Sequence, residues 1–281
     1  MLSVSAWKRC APVHVNGFTY GPLTPLLAFF MAFLGSVIGL QSASRARAAT
    51  GGSRTRWLTM ASLALGGTAI WVMQYIAILG FTVPGVEIRY DPVLTVAGLV
   101  AAIAAAAGGL TLVVRRQTDD RSLLLGGLVI GSAVAGVNFL GMATLHMAVG
   151  KHYTGWLIAA SEVVAVVGTA GALWFALRVH GLPSTLGAAA ILGAAVTGAH
   201  YLGMAALYLT DSATADASAF GSAPAVPSGM AASELLTPLV LGISIVTTIM
   251  LLVVAMAPTE RELREEQRAV ELATALRERS Y

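Results

Sequence analysis

The chain has 281 residues, of which 57% are hydrophobic and 11% charged, against about 45–50% and about 25% in a soluble domain. With a mean hydropathy of +0.77, it reads as an integral membrane protein with no soluble domain of useful size left over. The net charge of +3 is too small to imply a nucleic-acid partner, and the single cysteine, Cys10, excludes an internal disulfide.

Residues 1–21 form an outer N-terminal segment. Lys8 and Arg9 precede a mixed stretch, "CAPVHVNGFTYGP", that is no signal-peptide core, so the first apolar run is a retained helix. A bilayer core needs about 20 apolar residues as helix. Seven runs qualify, at 22–41, 57–80, 92–114, 122–145, 155–178, 184–208 and 235–257. Their length favours helices over barrel strands, which are about 10 residues and alternate. Segment 209–234 is rich in Ala, Ser and Pro and reads as a flexible outer loop. The tail, 258–281, reads as a solvated helix, with a short dimerising coil (a homodimer through the tail) as the alternative.

The expected fold is all-α: a polytopic membrane protein of seven transmembrane helices. Of the 17 Lys and Arg residues, 13 fall in loops one, three and five and the tail, and 4 on the opposite side. The positive-inside rule then places the N-terminus outside and the C-terminus in the cytoplasm.

The sequence repeats itself. "WVMQYIAILG" starts at Trp71, "GVNFLGMATL" at Gly136 and "GAHYLGMAAL" at Gly198. The frames align Gln74, Asn138 and His200. Tyr20, Tyr90 and Tyr153 each open the preceding odd-numbered span. The membrane domain, 22–257, thus divides into helix pairs at about 20–81, 90–145 and 153–208, with the seventh helix, 235–257, outside the pattern. Spans two, four and six run the same way, so Gln74, Asn138 and His200 share one depth near the outer face. Ile78, Met142 and Met204 follow at i+4, on the same helix face.

These phrases resemble the MHYT domain, a bacterial seven-helix sensor module built from three such helix pairs. Ala199–Met204 matches the motif at His200, Tyr201, Gly203 and Met204. Val137–Met142 keeps Phe139, Gly141 and Met142 but has Asn138 for histidine. Met73–Ile78 keeps Met73 and Tyr75 but has Gln74 and Ile78. The resemblance implies a non-enzymatic sensor in the cell membrane. It also implies a metal, copper, held by His200, Met204, Met142 and Met73 to sense a diatomic gas or redox state. Imidazole and thioether donors suit copper(I), whereas the amides of Gln74 and Asn138 ligate soft metals poorly. His146, at i+4 from Met142 on the same helix face, is a further donor candidate near the rim. The bland alternative is a polar packing knot in which methionine fills space and the amides hydrogen-bond between helices.

Glu162 lies outside the motif. It and His200 are the ionisable residues well inside the spans, each about 10–12 Å in by helical rise. An intramembrane ionisable group is a functional candidate with an expected partner. Gln74, Asn138, Glu162 and Tyr201 therefore complete a candidate polar site. A Glu162–His200 pair would also suit a second reading, a small proton-coupled transporter or channel. Family members often carry a following enzyme domain. No such stretch follows here, so the expected partners are the bilayer and a separate cytoplasmic signalling protein.

Overall fold

The computed structural model describes residues 21–83, 86–115, 120–147, 150–178, 181–210, 228–257 and 268–269. The N-terminal segment, most of the outer loop and nearly all of the tail lie outside the described residues. The first span is α1 (Leu23–Ala48). It runs past its apolar stretch, and Arg45 and Arg47 fill its last turn, where cations favour the negative end of a helix. The second span is composite: α2 (Gly51–Ser62), a π-helical stretch (Leu63–Val72) and α3 (Met73–Leu79). Then follow α4 (Pro92–Arg115), α5 (Asp120–Ala143), α6 (Gly155–Arg178), α7 (Leu182–Ala205) and α8 (Ala232–Met256). Six of these spans are long and apolar enough to cross a bilayer, and a shorter apolar stretch lies in α8. The protein is an all-α polytopic membrane protein.

The helices pack as a closed ring. α1 meets α2, α2 and the π stretch meet α4, and α4 to α7 follow in order until α7 returns to α1. Within the ring α3, α5 and α7 each touch the other two, so the three phrase-bearing helices converge. Small residues bring backbones together: Gly66 lies on Ala102 and Ile103, Gly127 on Ala170, and Gly131 on Val166. α8 sits outside, against α1 and the π stretch. Its carboxyl end is held by buried Arg45, which donates to the carbonyl of Val254 at 3.0 Å and stacks on Trp57 at 5.0 Å.

Two features have no counterpart in the sequence reading. A π stretch of 10 residues, Leu63–Val72, leads into the first phrase and includes its first two residues. Such helices are rare and often mark functional sites. Four short strands also close the repeats: β1 (Arg89–Tyr90) with β2 (Leu145–His146), and β3 (Gly150–Tyr153) with β4 (Leu207–Thr210). Tyr90 pairs with Leu145, and Tyr153 with Leu207. The tyrosine that opens a repeat is thus tied to the leucine that ends its phrase. The backbone N–H groups of Asp91 and Thr154 repeat the equivalence by donating to Thr144 at 3.0 Å and Ala206 at 2.9 Å.

These straps shorten two helices. α5 stops at Ala143 and α7 at Ala205 rather than at 145 and 208. The N–H groups of Thr144 and Ala206 fold back on the final turn, and the next residues are taken by the strands. His146 is therefore a strand residue and does not continue the face of Met142.

Candidate functional site

The polar residues of the three phrases lie where α3, α5 and α7 converge. All three are buried: Gln74 is 2% exposed, Asn138 4% and His200 1%. Their contacts follow a cyclic rule. The Gln74 amide donates to the carbonyl of Val137 at 2.7 Å, the residue just before Asn138. It passes directly over Gly141, where a Cβ would collide with it. The Asn138 amide reaches the carbonyl of Ala199 in a long contact of 3.5 Å, the residue just before His200. It passes over Gly203, where again a Cβ would collide. Each amide thus docks on the next repeat, in the space its glycine leaves.

The third junction differs. In the repeat frame, Ala77 stands where Gly141 and Gly203 stand. Its methyl, fully buried, fills the equivalent space. His200 does not reach across as the amides do. Its Nε2 instead lies 3.1 Å from Sδ of Met204, one turn on in the same helix. Its Nδ1 is buried without a hydrogen-bond partner among the described residues, as is Oδ1 of Asn138. Leaving such an atom unpaired costs about 1–3 kcal/mol. Tyr201 presents its ring edge-on to the imidazole, with centroids 5.4 Å apart.

The donor set fits a soft metal in composition. One imidazole and one thioether converge within 3.1 Å, and the buried methionines Met73 and Met142 belong to the same core cluster, against which Met204 packs. No group of three or more His, Cys, Asp or Glu residues occurs among the described residues. The amide nitrogens of Gln74 and Asn138 are engaged with backbone carbonyls, and amide oxygens are poor ligands for soft metals.

Two expected members leave the site. Glu162 is exposed on α6 and turned away from the bundle. Its neighbour Ser161 takes the inward position, 3% exposed, and donates to the carbonyl of Ala199 at 2.7 Å. Adjacent residues on a helix point about 100° apart, so matching depth gave the wrong azimuth. The Glu162–His200 pair does not form, and the transport reading that rested on it loses its observation. His146 lies in the β1–β2 strap, its Nδ1 2.8 Å from the carbonyl of Ser228.

Ser161 was missed because a serine in a span carries no charge to flag it. Counted from the repeat-opening tyrosines, it aligns with Ala28 and Gly98. All three are small and buried, a signal that alignment of the odd-numbered spans contains. Nearer the strands, Lys151 donates from Nζ to the carbonyls of Leu145 at 2.7 Å and Met142 at 3.3 Å. It anchors the end of α5, and burial draws its pKa below the usual lysine value.

Comparison with known proteins agrees with this architecture. The family model described as "MHYT: Bacterial signalling protein N terminal repeat" matches residues 67–127 and 131–189. Each match starts within an even-numbered span and ends within the next, and the histidine-bearing third phrase lies beyond both. The bifunctional diguanylate cyclase/cyclic di-GMP phosphodiesterase MucR of Pseudomonas aeruginosa is 34% identical over 193 residues, 67% of this chain and 28% of that protein. The cyclic di-GMP phosphodiesterase NbdA of the same organism is 29% identical over 198 residues, 68% of this chain and 25% of that protein. An uncharacterized signaling protein of Caulobacter vibrioides is 28% identical over 193 residues, 67% of this chain and 23% of that protein. The aligned part is thus about a quarter of each relative's length, and no solved structure matches. With its repeated helix pairs and converging phrases, the chain belongs to the MHYT-domain family of membrane signalling sensors.

Proposed function

We propose that the chain senses through a site centred on the third phrase. His200 and Met204 would hold copper(I), with Met142 and Met73 as further thioether donors, near the face that carries the strands. The bound ion would supply a soft centre responsive to redox state or to a diatomic gas. The observation that carries this reading is the convergence of His200 Nε2 and Met204 Sδ at 3.1 Å beside a buried, unpartnered Nδ1. The Asn138 junction would brace the third phrase-bearing helix against the second, and the Gln74 junction the second against the first. The basic asymmetry of the loops supports an outward N-terminus and a cytoplasmic tail in a bacterial inner membrane. Two relatives are named as cyclic di-GMP enzymes. The output of this domain is therefore proposed to be control of cyclic di-GMP turnover in the cytoplasm.

Copper(I) titration of detergent-purified protein against a competing chromophoric chelator tests the site. The expected result is one tightly held ion per chain, lost in His200→Ala, weakened in Met204→Leu and kept in Gln74→Ala. No binding by the unmodified protein, or equal binding by His200→Ala, would refute the proposal.

A further inference from the structure

A groove of about 640 Å³ runs between the second span and α8. That is the size of a small-ligand site, yet it is open along its side. Met60 and Leu63 form one wall and Val246, Ile249 and Met250 the other. Val246 and Ile249 are both about half exposed, at 47% and 54%, so the groove opens toward hydrocarbon. Arg56 lies at the end nearer the start of α2 and is exposed. Arg54 is turned the other way, donating from Nε to the carbonyl of Ala49 at 2.9 Å. No acidic residue lies in the first turn of α2 to offset the arginine charge.

We propose that this groove binds an anionic phospholipid, with an acyl chain along the Leu63–Ile249 walls and its phosphate at Arg56. The walls belong to the second span and to the shorter apolar stretch of α8, Ile245–Met256, so the occupant must be apolar over that length. The groove ends on a cation, so the occupant must end in an anion. A phospholipid of the leaflet on the Arg56 side meets both demands. Guanidinium is suited to phosphate oxygens, which it can contact in pairs. A lipid there would brace α8, whose principal neighbours are otherwise α1 and the π stretch. The copper reading plays no part in this proposal, and metal-free protein serves for the test.

Native mass spectrometry of the detergent-purified chain, titrated with phosphatidylglycerol or with phosphatidylcholine of the same chain length, provides that test. Phosphatidylglycerol should bind in preference. Arg56→Gln should weaken that preference about fivefold, as expected for one surface cation against an anionic lipid. Ile249→Trp, which fills the apolar wall, should reduce binding of both lipids. Equal binding of the two lipids by the unmodified chain, or unchanged binding in Arg56→Gln, would overturn the proposal. It would equally fail if Ile249→Trp left lipid binding intact and instead abolished a dimer seen by light scattering, for the groove would then be occupied by a second copy. Arg56→Gln changes an exposed side chain and keeps the test decisive should the tryptophan variant misfold.

Discussion

The two amide junctions and the histidine junction occupy equivalent places in three repeats, yet they do opposite things. Gln74 and Asn138 cross to the next helix and dock on its backbone over a glycine. His200 stays on its own helix, beside Met204, facing a repeat whose glycine is replaced by Ala77. The difference teaches how one motif can supply both scaffold and site. An amide that spends its N–H on a carbonyl fixes two helices together. An imidazole that keeps one nitrogen unspent remains available for chemistry. The departures from the motif at Gln74 and Asn138 therefore read as a division of labour among the repeats.

The largest expected effect comes from closing the glycine notches. Gly141→Ala and Gly203→Ala each place a methyl against a docked amide. Overpacking of this kind costs about 1–3 kcal/mol, to be read as a lowered unfolding midpoint in detergent. Coupling should be visible in a double-mutant cycle: Gln74→Ala should recover much of the loss in Gly141→Ala while leaving Gly203→Ala unrelieved. If Gln74→Ala relieves both alike, the junctions are not the independent contacts their geometry indicates.

The straps sharpen the same comparison at the face that carries the strands. Tyr90 and Tyr153 hold equivalent places against Leu145 and Leu207. Tyr90 is almost wholly enclosed, and burial, with a smaller contribution from the neighbouring Tyr75, pushes its pKa up to about 12. Tyr153 is raised by burial as well. A raised phenol pKa means that the folded protein holds its proton where the unfolded chain has released it. Stability from Tyr90 is therefore intact below about pH 10, the ordinary tyrosine value, and is lost as pH rises towards 12. Absorbance titration of tyrosinate should show a late component to which Tyr90 contributes, and Tyr90→Phe should reduce its amplitude. A Tyr90→Phe protein with an unchanged late phase would contradict the assignment.

Much of this was legible in the sequence because membrane helices announce themselves by run length and repeats by their spacing. The six long spans follow from run length, and the convergence of Gln74, Asn138 and His200 follows from equivalent positions on equivalent helices. The π stretch was not legible, since Leu63–Val72 has the composition of any apolar helix. The straps were not either: Leu145–His146 and Leu207–Thr210 are too short to show a strand period. The third class of miss was azimuth. Depth can be counted from the end of a span, but the direction a side chain points depends on how the helix is rotated in its bundle. Glu162 failed on that ground, and Ser161 was overlooked on the same ground.

That adjacent pair on α6 supplies the smallest and most discriminating contrast. Ser161 faces the junction and shares the carbonyl of Ala199 with Asn138. The contact at 2.7 Å is the shorter of the two, so Ser161 is the principal hydrogen-bond donor to the backbone just before His200. Ser161→Ala should cost about 0.5–1.5 kcal/mol, the usual net value of one hydrogen bond. It should also loosen copper retention, because the helix that carries both His200 and Met204 loses an anchor. Glu162, one residue on, is exposed, with no hydrogen bond or ion pair to the junction. Glu162→Gln should therefore leave both the unfolding midpoint and copper affinity within error of the unmodified protein. Charge alone argues the other way, since a carboxylate in a span is usually functional. The two substitutions thus set orientation against charge. If Glu162→Gln disturbs copper binding as His200→Ala does and Ser161→Ala does not, then α6 is rotated in the working protein, and the junction includes the carboxylate after all.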